Sequence, residues 1–275
     1  MSKVLYGKEY QLNQLEKYRN RNNNHWKHRI GLAFTLVEKY ARPRLREKAI
    51  RDIVVFDVGC SIGTFAIEFG RLGYRSYGVD FDPEALQIAK TVCNEEKVSA
   101  EFVLIDISDW PDNLPPIDIA ICFDLFEHLH DDELGILLYY LRKQLSRQGS
   151  IVFHTFPTQY DYLFYSKKYL KFPLIPFRNL SVSKFNRIVK IYASLIDVGF
   201  LLNKGRTHKE YIKDSQHCNP LTEERLKDVL LRTGFNLLFM ESSQIYPFQK
   251  STQQLFWRQP VSYRNLYGVA EPMLM

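Results

Sequence analysis

The stretch Val54–Gly70, VVFDVGCSIGTFAIEFG, decides how the rest of the chain is read. An apolar run, Ile53–Phe56, ends in Asp57. A loop of small residues comes next, between Gly59 and Gly63, and a helical pattern then places Phe65, Ala66 and Phe69 on one face. A short apolar run without alternation is what a parallel strand covered on both faces requires. The glycines clear side chains from the turn, so the backbone lies open to close approach.

Outward from that stretch the pattern repeats. Tyr74–Val79 reads as a second strand, Glu101–Ile105 as a third, Ile117–Phe123 as a fourth and Ser150–His154 as a fifth. Asp82-Pro83-Glu84 opens one intervening helix, with an acid to cap it and proline in the first turn. Asp131–Ser146 forms another, ahead of Gly149. Phe235–Glu241 and Gln253–Arg258 read as two closing strands after a helix over Glu223–Thr233, capped by Thr222 and ended by Gly234. The expected fold is α/β: a doubly wound, mainly parallel, seven-stranded sheet with helices on both faces.

Two attachments interrupt this rhythm. Residues 1–51 hold helical patterns near Glu9–Tyr18 and His25–Tyr40, broken at Asn22–Asn24 and closed by Pro43. Residues 155–221 form an insertion in which Phe185, Ile188, Val189, Tyr192, Leu195 and Ile196 recur at helical spacing. The expected layout is a helical N-terminal lid over 1–51, a ligand-binding core over 52–154, an inserted lid over 155–221, and the closing helix and strands over 222–275. Net charge is +9 in the first attachment, +7 in the second and −10 in the remainder. An acidic body carrying two basic lids is the sharper reading, solvated faces the plainer one.

The 275 residues, 45% hydrophobic and 25% charged, suffice for a proper core. No apolar run reaches the ~18 residues of a membrane span. MSKVLYGKEYQL has no signal-peptide core, and a cytoplasmic location is expected. Cys60, Cys93, Cys122 and Cys218 form no CxxC pair, which argues against a structural zinc site or a disulfide framework.

Ligands of open α/β sheets bind beyond the carboxyl ends of the strands, where the Asp57 loop lies. A dinucleotide would call for G-x-G-x-x-G. The spacing here, Asp57-x-Gly59-x-Ser61-x-Gly63, is different, and an acid ahead of the loop repels a pyrophosphate while favouring an amine. Asp57-Val58-Gly59-Cys60-Ser61-Ile62-Gly63 resembles the first motif of class I S-adenosylmethionine-dependent methyltransferases, with Ser61 in place of the middle glycine. The resemblance continues in register at Asp80 and Asp106, and at Cys122–Leu129, CFDLFEHL, which is similar to the E-x-x-E-H segment of the ubiquinone-type O-methyltransferases (type 11/12/23). It covers roughly Ile53–His154 plus the closing helix and strands, and implies a Rossmann-like methyltransferase fold.

The resemblance implies S-adenosylmethionine as cofactor, with S-adenosylhomocysteine as product. Its site would comprise Asp57, Gly59, Cys60, Ser61, Gly63, Asp80, Phe81, Asp106, Ile107, Phe123 and Asp124. Asp80 would take the ribose hydroxyls, Phe81 would lie beside the adenine, and Asp106 with the Ile107 amide would hold the adenine edge. Asp57 would act through water or backbone groups near the methionine amine. Cys60 reads as a small packed residue.

Methyl transfer from a sulfonium is an in-line displacement that chiefly requires alignment. An oxygen nucleophile also requires a base. His154 at the end of the fifth strand is the first candidate, ahead of His128 and His217; structural strand-end and helix-start roles are the plain alternatives. Asp124, Glu127 and His128, at i, i+3 and i+4, form a minor metal reading, and activity without a metal is the expectation. Between Tyr160 and Lys171 the insertion interleaves Tyr160, Tyr162, Phe164, Tyr165 and Tyr169 with Lys167, Lys168 and Lys171. This pattern suits an apolar or sugar-bearing acceptor with negative charge, and Tyr160 and His217 are the expected acceptor contacts. The expected activity is O-methylation of a small-molecule or glycan-like acceptor, anionic or carrier-linked, in specialised metabolism. The alternatives are N-methylation of a small amine and RNA methylation using the basic lids. No N-P-P-Y segment stands after the fourth strand, and a scaffold without activity would not be expected to keep Asp80 and the glycines.

Overall fold

The computed structural model describes residues 6–20, 23–158, 173–174, 176–177, 180–205, 216–243 and 265–273. Seven strands form one sheet: β1 Val54–Val58, β2 Arg75–Asp80, β3 Ala100–Leu104, β4 Ile117–Phe123, β5 Leu145–Thr155, β6 Phe235–Ser243 and β7 Asn265–Pro272. Their order is β3-β2-β1-β4-β5-β7-β6. All pairings from β3 to β5 are parallel, whereas β7 runs antiparallel to both neighbours. The chain winds outward from β1 to β3, then in the other direction from β4. The crevice between β1 and β4 is therefore the switch point at which such sheets bind ligands.

Side-chain alternation along the strands divides the core in two. Val54, Phe56 and Val58 face a layer that includes Leu134, Leu137, Leu138 and Leu141 of α5 (Asp131–Gln144) and Leu226 and Leu230 of α7 (Glu223–Arg232). Ile53 and Val55 face the opposite layer, built from Phe65 and Phe69 of α3 (Thr64–Arg71) and Leu32, Ala33 and Leu36 of α2 (Asn24–Leu36). Each such buried side chain contributes about 1.5–3 kcal/mol. Helix starts obey local chemistry. Asp82 accepts hydrogen bonds from the Glu84 and Ala85 amides ahead of α4 (Pro83–Glu95), and Thr222 accepts one from the Arg225 amide at α7.

The N-terminal segment divides into two parts. α1 (Lys8–Arg19) buries Leu15 and Tyr18 against Ile62, Ile67, Val92 and Cys93, and the Tyr18 hydroxyl donates to Glu68 at 2.7 Å. It thus covers the loop after β1. α2 and the turns from it to Leu45 belong to the core itself, which leaves α1 as the part of residues 1–51 that lies over the loop. α6 (Val182–Lys204) ends at left-handed Gly205 and meets α7 through a 2.5 Å ion pair between Lys190 and Glu224. Residues 216–221 run back over the end of β4, where the Asn219 amide donates to the Glu127 carbonyl.

Two strand expectations change. The fifth strand starts earlier, because Leu145 pairs with Ile117 before the register shifts and Ser150 pairs with Ile119. The last strand is Asn265–Pro272, whereas Gln253–Arg258 lies outside the described residues. Gly268 concealed it from a pattern search; a Cβ there would stand 2.3 Å from the Phe239 carbonyl oxygen, so close packing demands the glycine. Among the described residues no helix is long and apolar enough to cross a membrane.

Candidate active site

The loop after β1 bends through three left-handed residues, Gly59, Ser61 and Gly63 (φ 72°, 47° and 79°). The Gly59 and Cys60 amides donate to the Val79 carbonyl, which ties the loop to the end of β2. A Cβ at Gly63 would meet the Phe102 ring at 2.6 Å, and one at Gly59 would meet Leu125 at 2.8 Å. Ser61 tolerates its conformation because its amide donates to Asp80 Oδ2 and its hydroxyl donates to Gln11 Oε1, both at 2.7 Å.

Asp80 therefore shapes the loop directly, and its other oxygen accepts from the Asp82 amide. Burial raises its pKa, opposed by these amide bonds. Helix capping falls to Asp82, which leaves Asp80 half-buried at the mouth with Phe81 exposed beside it. Asp106 stands two residues beyond β3 and accepts from the Ser108 amide and hydroxyl, at 2.9 and 2.6 Å, with Ile107 half-buried next to it.

Asp57 acts through backbone groups. Its carboxylate is buried and accepts from the Phe65 and Ala66 amides, at 3.1 Å each, in the first turn of α3. Burial pushes its pKa up to about 7 against the pull of those amides. It fixes the loop-to-helix junction through the backbone. Cys60 is packed, as expected, with its thiol pushed up by burial.

The residues fit an adenosyl amino-acid ligand. The loop is nearly bare of side chains, and Thr64 Oγ1 at its end is buried with no hydrogen-bond partner among the described residues. Asp80 offers carboxylate lone pairs suited to a diol, and Phe81 offers a ring face.

Beyond β4 the arrangement is denser. Asp124 is left-handed (φ 52°), and its amide donates to the His154 carbonyl at 2.8 Å. Its carboxylate is clasped by Arg29 Nε and by His154 Nδ1, the latter at 2.6 Å. Burial alone would raise the Asp124 pKa, but the Arg29 and His154 charges hold it well below the usual carboxylate range. His154 is fully buried, and its Nε2 lies 3.1 Å from Asn265 Oδ1. Phe123 packs between Phe65 and His154. Both ring nitrogens of His154 are thus engaged, and the side chain is fully buried.

Glu127 is buried, accepting from the Thr155 hydroxyl at 2.7 Å and the Phe156 amide at 3.2 Å. Burial and the Asp124 charge push it up to about 8. His128 comes next, its Nδ1 2.6 Å from the Gln216 carbonyl oxygen and 3.3 Å from the Tyr6 hydroxyl. A carbonyl only accepts, so Nδ1 carries the proton and Nε2 keeps its lone pair. Burial lowers the His128 pKa, which keeps the ring neutral. The His217 ring is 4.9 Å away, with its pKa lowered to about 4 by burial and by His128. Tyr6 stacks on Tyr10 at 4.4 Å, and burial raises the pKa of both.

The structure thus brings His128 and His217 together, while His154 is bonded to Asp124 and Asn265. Tyr160 lies outside the described residues. Asp124, Glu127 and His128 have their donor atoms drawn to different partners, and among the described residues no three His, Cys, Asp or Glu side chains are grouped to hold a metal ion. Tyr6, Gln11, Arg29, Gln216 and Asn265 escaped sequence reasoning. Only Tyr6 and Tyr10, one helical turn apart, left any signal.

The strand order, the left-handed loop and the acids at successive strand ends define a class I S-adenosylmethionine-dependent methyltransferase. The chain belongs to the family described as "Methyltransferase domain" (Methyltransf_23), whose model matches residues 25–238. It is 27% identical over 103 residues to a ubiquinone biosynthesis O-methyltransferase of Pseudoalteromonas translucida, covering 37% of this chain and 42% of that protein. With the enzyme of the same name from Yersinia pestis (strain Pestoides F) it shares 31% identity over 87 residues, or 31% and 36% of the two chains. The match spans less than half the length of these curated relatives. Among solved structures, an S-adenosylmethionine-dependent methyltransferase of Clostridium acetobutylicum superposes with a TM-score of 0.58 at 10% identity, covering 98% of this chain and 100% of that one. The magnesium protoporphyrin IX methyltransferase of Synechocystis PCC 6803, with bound S-adenosylhomocysteine, gives 0.52 at 16% identity, covering 89% and 84%. Both share the fold.

Proposed function

We propose that the protein O-methylates a small-molecule or glycan-like acceptor, with His128 as the general base. The observation that carries this reading is the state of the His128 ring. Its Nδ1 proton is tied to the Gln216 carbonyl, so its Nε2 lone pair is the atom left to take a hydroxyl proton. The ubiquinone biosynthesis relatives, O-methyltransferases by name, support oxygen as the nucleophile.

S-adenosylmethionine, when bound, supplies an activated methyl group. Gly59, Ser61 and Gly63 would hold its amino-acid end, Asp80 and Phe81 the ribose and adenine, and Asp106 with Ile107 the adenine edge. Phe123 would line the crevice between β1 and β4. The protein's remaining tasks are to align the acceptor, which supplies up to ~7–11 kcal/mol of the barrier reduction, and to remove a proton. Tyr6 and residues 216–219 pack against the His128 turn and partly shield it from water. His217 and Tyr160 remain the proposed acceptor contacts. The net +7 of residues 155–221 favours an acceptor with negative charge, free or carrier-linked, in a biosynthetic pathway of specialised metabolism. The cysteines are free and three are buried, which suits the cytoplasm.

Incubation with labelled S-adenosylmethionine and matched panels of phenols, sugar acids, small amines and RNA tests this reading. The expected product is a methyl ether from an anionic hydroxyl acceptor. Label on nitrogen, or on RNA alone, would replace it with one of the alternatives.

A further inference from the structure

Arg29, Asp124, His154 and Asn265 come from α2, the β4 loop, β5 and β7, and meet in one chain in which Asp124 is half-buried and the other three are buried. At its centre Asp124 holds a left-handed backbone, a conformation that residues other than glycine rarely adopt and that asparagine and aspartate tolerate best. Three bonds hold it there: its amide to the His154 carbonyl, and its carboxylate to Arg29 and His154.

The turn made at Asp124 sets the course of residues 125–128. Leu125 is thrown against the cofactor loop, so close to Gly59 that a Cβ there would stand 2.8 Å from its Cδ1. The next residues form the turn Phe126–His128, which carries Glu127 into its bonds with Thr155 and Phe156 and presents His128 to Gln216. One backbone conformation therefore fixes the distance between the cofactor loop and the base.

We propose that Asp124 and His154 are positioning residues for methyl transfer: pinned by Arg29 and Asn265, they lock the turn that holds His128 in register with the cofactor loop. The consequence for catalysis rests on His128 being the base.

Purified full-length variants would be compared by turnover, by the pH profile of kcat and by calorimetry with S-adenosylhomocysteine. Asp124→Ala and His154→Gln should each lower kcat by roughly 10–100-fold, the loss expected of misplacement on the ångström scale. S-adenosylhomocysteine affinity should change by less than about threefold, because Asp80 stands on the other side of the crevice. Asp124→Asn should recover most of the loss, since asparagine tolerates the left-handed turn and still offers an oxygen to His154. His154→Gln should keep the acid limb of the pH profile. Loss of that limb would make His154 itself the base and overturn the proposal, as would wild-type kcat in both Asp124→Ala and His154→Gln. Should Asp124→Ala fail to fold, Arg29→Lys takes its place: it keeps the charge but loses the Nε bond, and a lowered kcat with intact cofactor binding supports the proposal, whereas full activity contradicts it. His128→Gln separates the two claims. If it stays active while Asp124→Ala does not and Asp124→Asn does, positioning stands and the base assignment falls.

Discussion

The two halves of the sheet's carboxyl edge are wired differently. On the β1–β3 side the three acids make short-range contacts, Asp106 to Ser108 two residues apart, Asp57 to Phe65 eight and Asp80 to Ser61 nineteen, and the long-range ones come from the cover helix α1, as from Gln11 to Ser61. On the β4–β5 side polar contacts span the chain: 88 residues from His128 to Gln216, 95 from Arg29 to Asp124, 111 from His154 to Asn265, 122 from Tyr6 to His128. On the proposed reading the first half, assembled from successive strand ends, is a nucleoside cradle. The second is then a base and its cover, drawn together by the completed fold. Binding and chemistry should accordingly be separable by mutation.

The largest effect expected is on chemistry. His128→Gln should lower kcat by about 10²–10⁴-fold, the usual contribution of a general base, with secondary structure and melting temperature retained. In the wild type the acid limb of kcat should have its midpoint below the ordinary imidazole value of about 6.5, because burial favours the neutral ring. A midpoint above that value would point to a base other than His128.

Next comes a stability effect on the cradle side. Asp57→Ala removes the acceptor for two amides at the start of α3 and should cost about 0.5–2 kcal/mol, with Asp57→Asn costing less. Thermal unfolding reads this at about 2–4 °C per kcal/mol for a chain of this size. If Asp57→Ala weakens S-adenosylhomocysteine binding with no change in melting temperature, Asp57 is a ligand contact rather than a helix anchor.

A pH-dependent effect is expected on the other side. The Glu127 pKa is raised to about 8 in the folded protein, through burial first and then the Asp124 charge. Its contribution to stability is fully present below the ordinary glutamate value of about 4.3 and is lost as pH rises through about 8. Glu127→Gln should therefore match the wild type near pH 4 and become progressively more stable than it toward pH 8. A melting-temperature difference that shrinks over that range would show that Glu127 is ionised in the fold. The smallest effect expected is from Tyr6→Phe: a few-fold rise in the acceptor KM through loss of one hydrogen bond to His128.

Legibility in the sequence obeys the same division. The β1 loop, Asp80, Asp82 and the strands from Ile53 to Phe123 could be read because each rests on a contact or a periodicity within about twenty residues. For Asp57 the backbone mode was legible, but which amides it takes, those of Phe65 and Ala66, is set only by the turn into the helix beyond. The contacts of His154 were not legible because they are distant: its partner Asp124 is clasped by Arg29 from α2, and Asn265 sits in a strand disguised by Gly268. The three histidines were named, but the choice among them needed Gln216 and Tyr6, which reach His128 only after folding. α2 was grouped with the lid because the net +9 belongs to residues 1–51 as a whole, whereas Leu32, Ala33 and Leu36 pack in the core.

The division between cradle and chemistry is tested most directly by titrating S-adenosylhomocysteine calorimetrically into Asp80→Ala and His128→Gln side by side. Loss of the Asp80 carboxylate should cost about 1.5–3 kcal/mol of binding free energy, on the order of 10–150-fold in Kd. His128→Gln should bind within about twofold of the wild type while failing to turn over. Unchanged affinity in Asp80→Ala, or an equal loss in both variants, would contradict the account.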